Sequence, residues 1–291
     1  QLVHSIQHQH PAIGIQHPAT MPAPRPRKRF GQHFLSDPRL LDRIADALGP
    51  TREDAVVEIG PGRGALTDRL ADRAGRVVAI EIDRDLAALL QTRYRDRPHV
   101  EIVTGDALEE DWGALAGGPY LLAGNLPYYI TTPLLFRALE RPRPVRAVLL
   151  VQREVAERIV APPGSREYGA LSVNVQLFAQ AEVVGRVPAG AFRPVPEVDS
   201  AIVRMIPYAT GPVPEADEPA LRRFVQGIFA YRRKQITRAV RELAGLDAPA
   251  AAAVVREAGI ERAARPETLS PDEFVRLFRA CAPYRDRFES A

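Results

Sequence analysis

Between residues 55 and 160, short apolar runs alternate with helix-length segments, and this alternation restricts the chain to a small set of folds. The runs are Ala55–Gly60, Val77–Asp83, Val100–Ala107, Tyr120–Pro127 and Ala147–Gln152, mostly rich in Val, Ile or Leu. Segments 64–73, 84–95, 133–140 and 153–160 follow them with helical character. Strand, helix, strand at this spacing predicts an α/β chain with a mostly parallel sheet covered on both faces. Residues 169–180 predict a further helix, and Val183–Pro188 and Ser200–Ile206 two closing strands, which brings the sheet to seven.

Punctuation residues set the limits of this unit. Asp37 followed by Pro38 predicts a helix start, with a side-chain cap and then a proline where no N–H is needed. Leu40, Leu41, Ile44 and Leu48 make its apolar face, and Gly49 ends it. Thr132-Pro133 predicts a second helix start of the same kind. The Pro- and Gly-bearing stretch 207–219 marks a boundary, beyond which Ala220–Tyr231, Arg233–Ala244, Pro249–Gly259 and Pro271–Cys281 predict a small all-helical region. The expected division is 1–20 leader, 21–208 α/β domain and 209–291 helical domain. Residues 1–20 hold four of the six histidines and no other charge, and are expected to be a disordered leader preceding a natural start at Met21. His4, His8 and His10 have no charge around them to define a metal site, and no metal is expected anywhere.

Charge narrows the partners. The chain has 291 residues and net charge +3, unevenly placed. Residues 25–39 carry Arg25, Arg27, Lys28, Arg29 and Arg39 against Asp37, a net +4. Residues 221–241 carry Arg222, Arg223, Arg232, Arg233, Lys234, Arg238 and Arg241 with no acid, a net +7 that leaves −8 for the rest. Two basic patches on an acidic body fit a polyanion. There is no membrane-length apolar run. With one cysteine, Cys281, an internal disulfide and a Cys-based zinc site are excluded. A cytoplasmic monomer is expected, with Cys281 as a packed core residue.

Glu58-Ile59-Gly60-Pro61-Gly62-Arg63-Gly64 follows the first strand and opens a helix. Glycines there let backbone pass close to a ligand. The spacing departs from the dinucleotide fingerprint, which places a third glycine three residues after the second. S-adenosylmethionine has no phosphate to cradle; its ammonium and sulfonium favour a carboxylate, which Glu58 can supply directly or through water. Glu81, 21 residues after Gly60, ends the second strand, where an acid takes both ribose hydroxyls. Asp106 ends the third, where it accepts from an adenine amino group.

Asn125-Leu126-Pro127-Tyr128 ends the fourth strand and faces the same crevice. An adenine amino nitrogen is a poor nucleophile because its lone pair is conjugated with the ring. Acceptors on its two N–H bonds favour a tetrahedral nitrogen and stabilise the positive charge that develops. The Asn125 side-chain oxygen and the Leu126 carbonyl can be those acceptors, Pro127 fixes the turn, and Tyr128 offers a face for stacking. No general base is required before attack.

At this point the chain resembles the small-subunit (16S) ribosomal RNA adenine N6,N6-dimethyltransferases of the KsgA/RsmA type. The segments that carry the resemblance are Arg29–Leu35, Glu58–Gly64, Asn125–Pro133, Gln152–Ala156, Tyr168–Val173, Phe192–Ala201 and Arg232–Lys234. It implies a class I methyltransferase (Rossmann-like) sheet and dimethylation of two adjacent adenines near the 3′ end of small-subunit RNA, in a pre-30S particle. It implies cofactor contacts at His33, Leu35, Gly60, Glu81, Asp106 and Asn125, with Gly62 in the same loop. It also implies that Phe192 helps close the adenine pocket opposite Tyr128. The family often carries asparagine where this chain has His33.

Arg232, Arg233, Lys234 and Arg238 are expected on adjacent helix faces, contacting RNA phosphates, with Arg25–Arg29 extending the track. Three alternatives remain: a large-subunit (23S) rRNA adenine methyltransferase conferring macrolide resistance, an assembly factor acting mainly by binding, and a DNA adenine methyltransferase.

Overall fold

The computed structural model of the chain describes residues 26–27 and 30–289. The expected leader 1–20, its histidine cluster, Met21, and the basic residues Arg25, Lys28 and Arg29 lie outside the described residues.

Strand β1 (Phe34–Leu35) precedes α1 (Pro38–Leu48). The Asp37 carboxylate accepts from the Arg39 and Leu40 amides, and Gly49 closes the helix at φ 58°. The α/β alternation follows: β2 (Ala55–Ile59), α2 (Ala65–Ala71), β3 (Arg76–Glu81), α3 (Arg84–Arg93), β4 (Val100–Thr104), α4 (Trp112–Ala116), β5 (Tyr120–Asn125), α5 (Thr131–Ala138), β6 (Arg146–Gln152) and α6 (Arg153–Val160). Helix α7 (Ala170–Phe178) leads into β7 (Ala179–Val187), β8 (Phe192–Arg193) and β9 (Ser200–Pro207). The C-terminal helices are α8 (Glu218–Phe229), α9 (Ile236–Ala244), α10 (Ala248–Glu257), α11 (Pro271–Ala280) and α12 (Asp286–Glu289).

The main sheet has seven strands in the order β4-β3-β2-β5-β6-β9-β7. Strands β2 to β6 run parallel, while β9 is antiparallel to both β6 and β7. The order reverses at β2, which is flanked by β3 and β5, so the loops leaving β2 and β5 lie side by side. That junction is the usual ligand crevice of an open α/β sheet.

Alternation along the strands divides the core in two. Val56, Leu121, Ala123, Val148 and Leu150 face a cluster with Leu41, Ile44 and Leu48 of α1 and Leu66 and Leu70 of α2. Val57, Leu122, Leu149 and Val151 face the opposite cluster. That second cluster runs without interruption through α5 and α7 into Phe224, Phe274 and Phe278 of the C-terminal helices. Cys281 is fully buried there, and burial pushes its thiol up to about 12.

Three local expectations are corrected. Thr132 is not a cap: α5 begins at Thr131, whose hydroxyl donates to the Pro127 carbonyl at 2.9 Å, so the turn after β5 runs straight into the helix. Arg232, Arg233 and Lys234 do not lie on a helix but in the turn between α8 and α9. The Ile236 amide donates to the Ala264 carbonyl at 2.7 Å, which holds Gln235 extended and delays α9. Nor is 221–241 one basic face. Arg222 is only 9% exposed and donates to the Phe136 and Leu139 carbonyls, with its guanidinium over the Phe178 ring.

Candidate active site

Eleven of the expected site residues line one cavity at the carboxyl ends of β2, β3, β4 and β5: His33, Leu35, Glu58, Gly60, Gly62, Glu81, Asp106, Asn125, Leu126, Pro127 and Tyr128. The loops that carry them approach closely because Gly124 has no side chain; a Cβ there would lie 2.8 Å from the Ile59 carbonyl oxygen. Gly62 has φ 58°, and a Cβ on it would lie 2.8 Å from the Phe34 ring. An alanine at either place would therefore force backbone or ring apart.

Two buried carboxyls form the floor. Glu58 shares the Val56 face of β2 and points under the loop. It is 1% exposed, and its Oε2 has no hydrogen-bond partner. Burial pushes its carboxyl up to about 8, with the Thr67 side chain pulling the other way and the charges of Glu81 and Asp68 adding to the rise. Glu81 is held from both sides: it accepts from the Gly62 amide at 3.0 Å and from the Asp83 amide at 2.9 Å. Burial raises its carboxyl as well, and those amides oppose the rise. Asp106 accepts from the Leu108 amide through Oδ1 at 2.9 Å.

The tetrapeptide is braced by residues distant in sequence. The Asn125 Nδ2 donates to the His33 carbonyl at 2.8 Å, which directs its Oδ1 away from that bond as an acceptor. The Leu126 amide donates to the Leu150 carbonyl at 3.0 Å. The Tyr128 hydroxyl pairs with Ser200 Oγ at 3.1 Å, and its ring stacks on His33 with centroids 5.7 Å apart. The His33 Nδ1 bonds the Pro194 carbonyl at 2.9 Å.

The family model described as ribosomal RNA adenine dimethylase matches residues 24–282. The chain belongs to this family. A relative from Acinetobacter baylyi, named ribosomal RNA small subunit methyltransferase A, is 43% identical over 260 residues, covering 88% of this chain and 93% of that protein. A crystal structure of a dimethyladenosine transferase from Plasmodium falciparum superposes with a TM-score of 0.74 at 26% identity, covering 87% of this chain and 98% of that one. The 23S rRNA methyltransferase ErmE superposes with a TM-score of 0.68 at 30% identity, covering 85% and 98%. As a member of the family, the chain has the class I methyltransferase fold expected from its sequence.

Phe192 is the exception among the expected pocket residues. It is 1% exposed and packs in the core with Leu41 and Ile44. The antiparallel pairing of β8 with β1 sets it opposite Leu35, and both turn inward. The segment after it reaches the site instead through the Pro194–His33 bond.

The basic residues of the chain are divided in use. Arg232 pairs with Glu267 at 2.9 Å and Arg238 with Glu242 at 3.6 Å, whereas Arg233 and Lys234 are exposed. Phe229, just upstream, stacks on Phe274 in the core. Arg27 is bound internally to Asp83 at 3.1 Å and to Asp85, so its charge does not extend a surface track.

Sequence reasoning missed Gln32, Asp83, Ile82 and Tyr129. Asp83 is 1% exposed and accepts from Arg27 and from Gln32 Nε2 at 3.1 Å, latching these two residues beside the cavity. Its place two residues after Glu81 was the available signal; its partners, more than fifty residues upstream, gave none.

Proposed function

We propose that the protein transfers methyl groups from S-adenosylmethionine to the N6 amino groups of two adjacent adenines near the 3′ end of small-subunit rRNA. The observation that carries this reading is the Asn125–His33 bond, because it fixes which end of the Asn125 amide serves as acceptor. The small-subunit assignment is supported by the 43% identity to the Acinetobacter baylyi relative and its name.

The cavity suits this donor better than a dinucleotide. A diphosphate would meet two buried carboxyls, Glu58 and Glu81, whereas the unpartnered Glu58 Oε2 suits an ammonium group. When bound, S-adenosylmethionine supplies a methyl group made electrophilic by its sulfonium. Glu81 retains lone pairs for the ribose hydroxyls, and Asp106 accepts from the adenine amino group. Asn125 Oδ1 and the Leu126 carbonyl accept the two N–H bonds of the substrate amine and stabilise the charge that grows on it. Tyr128 stacks on the extruded base, its ring already held by Ser200 and His33. Arg233 and Lys234 contact RNA phosphates, with Arg232 and Arg238 beside them, and position the strand without reading it.

The proposed setting is a partly assembled small subunit in the cytoplasm, with a single chain acting. Among the described residues no helix is long and apolar enough to cross a membrane.

The test is transfer of labelled methyl groups to undermethylated small subunits, with large-subunit RNA in parallel. Two methyl groups on each of two adjacent small-subunit adenines are expected. Label confined to large-subunit RNA would overturn the substrate, and binding to subunits with no transfer would overturn the catalytic reading.

A further inference from the structure

Two large apolar side chains stand uncovered at the cavity. Ile82 is 39% exposed, Tyr129 is 57% exposed, and both line it. Exposed apolar groups on the wall of a concave site mark a surface that a ligand covers. Ile82 is fixed in place between Glu81, which two amides hold, and Asp83, which caps α3 and latches the N-terminal segment.

Tyr129 sits in the turn Tyr128–Ile130 directly after Pro127. Its neighbours differ from those of Tyr128. The Tyr128 hydroxyl reaches Ser200 and its ring stacks on His33. The Tyr129 ring lies further up the same N-terminal segment, 3.5 Å from where a Cβ on Gly31 would be. Tyr129 and Asp106 both line the cavity; partial burial raises the Tyr129 phenol, and the Asp106 charge adds to the rise. Consecutive tyrosines thus line one cavity with different neighbours. Among the described residues the Tyr129 hydroxyl has no hydrogen-bond partner, so the ring's faces are what it offers.

An adenine needs apolar surface on both faces and an acceptor at its amino edge. Ile82, Tyr129 and Asp106 supply that set. We infer that Tyr129 closes over the adenine ring of the methyl donor, opposite Ile82, leaving Tyr128 to the substrate base. This rests on reading the cavity as the S-adenosylmethionine site. Tyr129 is then a positioning residue for the donor. The neighbouring base of the RNA is the competing occupant.

Titration calorimetry with S-adenosylhomocysteine on the full chain tests the inference, alongside KM for undermethylated small subunits at saturating donor. Tyr129→Phe should bind S-adenosylhomocysteine within about twofold of the parent, since stacking is kept. Tyr129→Ala should weaken binding about tenfold, the size of a lost base–aromatic stack, with less than a twofold change in the RNA KM. Tyr129→Leu, which keeps apolar cover, should fall between them. Parent-like binding by Tyr129→Ala, or a loss seen in the RNA KM instead, would overturn the assignment. A parent protein that binds no S-adenosylhomocysteine would overturn the cofactor reading itself and the inference with it.

Discussion

The Asn125 side chain donates to the main-chain carbonyl of His33, 92 residues earlier, at 2.8 Å. One hydrogen bond therefore joins the tetrapeptide to the N-terminal segment and orients the amide for its work.

Asn125→Ala removes both the acceptor and this tether. Transfer should fall by about a thousandfold, the upper range for loss of a single preorganised polar group. S-adenosylhomocysteine affinity should change by only a few-fold. Asn125→Asp loses the N–H that His33 accepts and should be equally inactive. Single-turnover label incorporation and calorimetry together check this; full-rate transfer by Asn125→Ala would exclude the mechanism.

Glu58 links pH to both stability and binding. Its carboxyl is raised from 4.5 to about 8 in the folded chain. Between those values the folded protein holds a proton that the unfolded chain has released, so stability from this group is full below about pH 4.5 and is lost as pH rises through about 8. Glu58→Gln should be more stable than the parent at pH 8 and should lose part of the parent's decline in Tm between pH 6 and 8. A cationic donor ionises Glu58, so binding at pH 7 should release protons. Calorimetry in buffers of different ionisation enthalpy should detect that release in the parent and find it reduced in Glu58→Gln, which also binds more weakly.

Phe192→Ala should act through folding. A buried phenylalanine truncated to alanine costs about 3–5 kcal/mol, so denaturant midpoints should drop sharply. Phe192→Leu should recover most of the stability and most of the transfer rate. A Phe192→Leu protein with parental stability and no transfer would return Phe192 to the adenine pocket.

Exposed cations should dominate RNA affinity. Arg233→Ala with Lys234→Ala should weaken binding and make it less sensitive to salt, the slope falling by about one for each phosphate that is no longer neutralised. Arg232→Ala should matter less for RNA and more for stability, because its guanidinium already serves Glu267. Filter binding at several salt concentrations separates these outcomes, and donor affinity should be unchanged in both variants.

Much of the site was legible because its residues lie at fixed offsets from strand ends. Glu58, Gly60, Glu81, Asp106 and Asn125 each sit within a residue or two of where a parallel strand stops, so identifying the strands located the crevice. The basic helix was misplaced for a non-local reason: nothing in the run from Arg233 to Ala244 reveals that the Ile236 amide is claimed by Ala264. Phe192 was assigned to the pocket by the family resemblance, and nothing in its neighbouring residues shows that its side chain turns inward beside Leu35.

The sequence by itself determined the α/β alternation, the capped helices and the chemistry at each strand end, because periodicity and capping are properties of neighbouring residues. The tertiary structure alone decided how those ends are braced. It set His33 against Asn125 and Tyr128, latched Arg27 and Gln32 onto Asp83, turned Phe192 inward beside Leu35, and buried Arg222 while leaving Arg233 and Lys234 outside. The physical reason is that each of these pairings joins residues tens of positions apart, or depends on which side of a folded core a side chain lies. Neither is set until the sheet has ordered its strands.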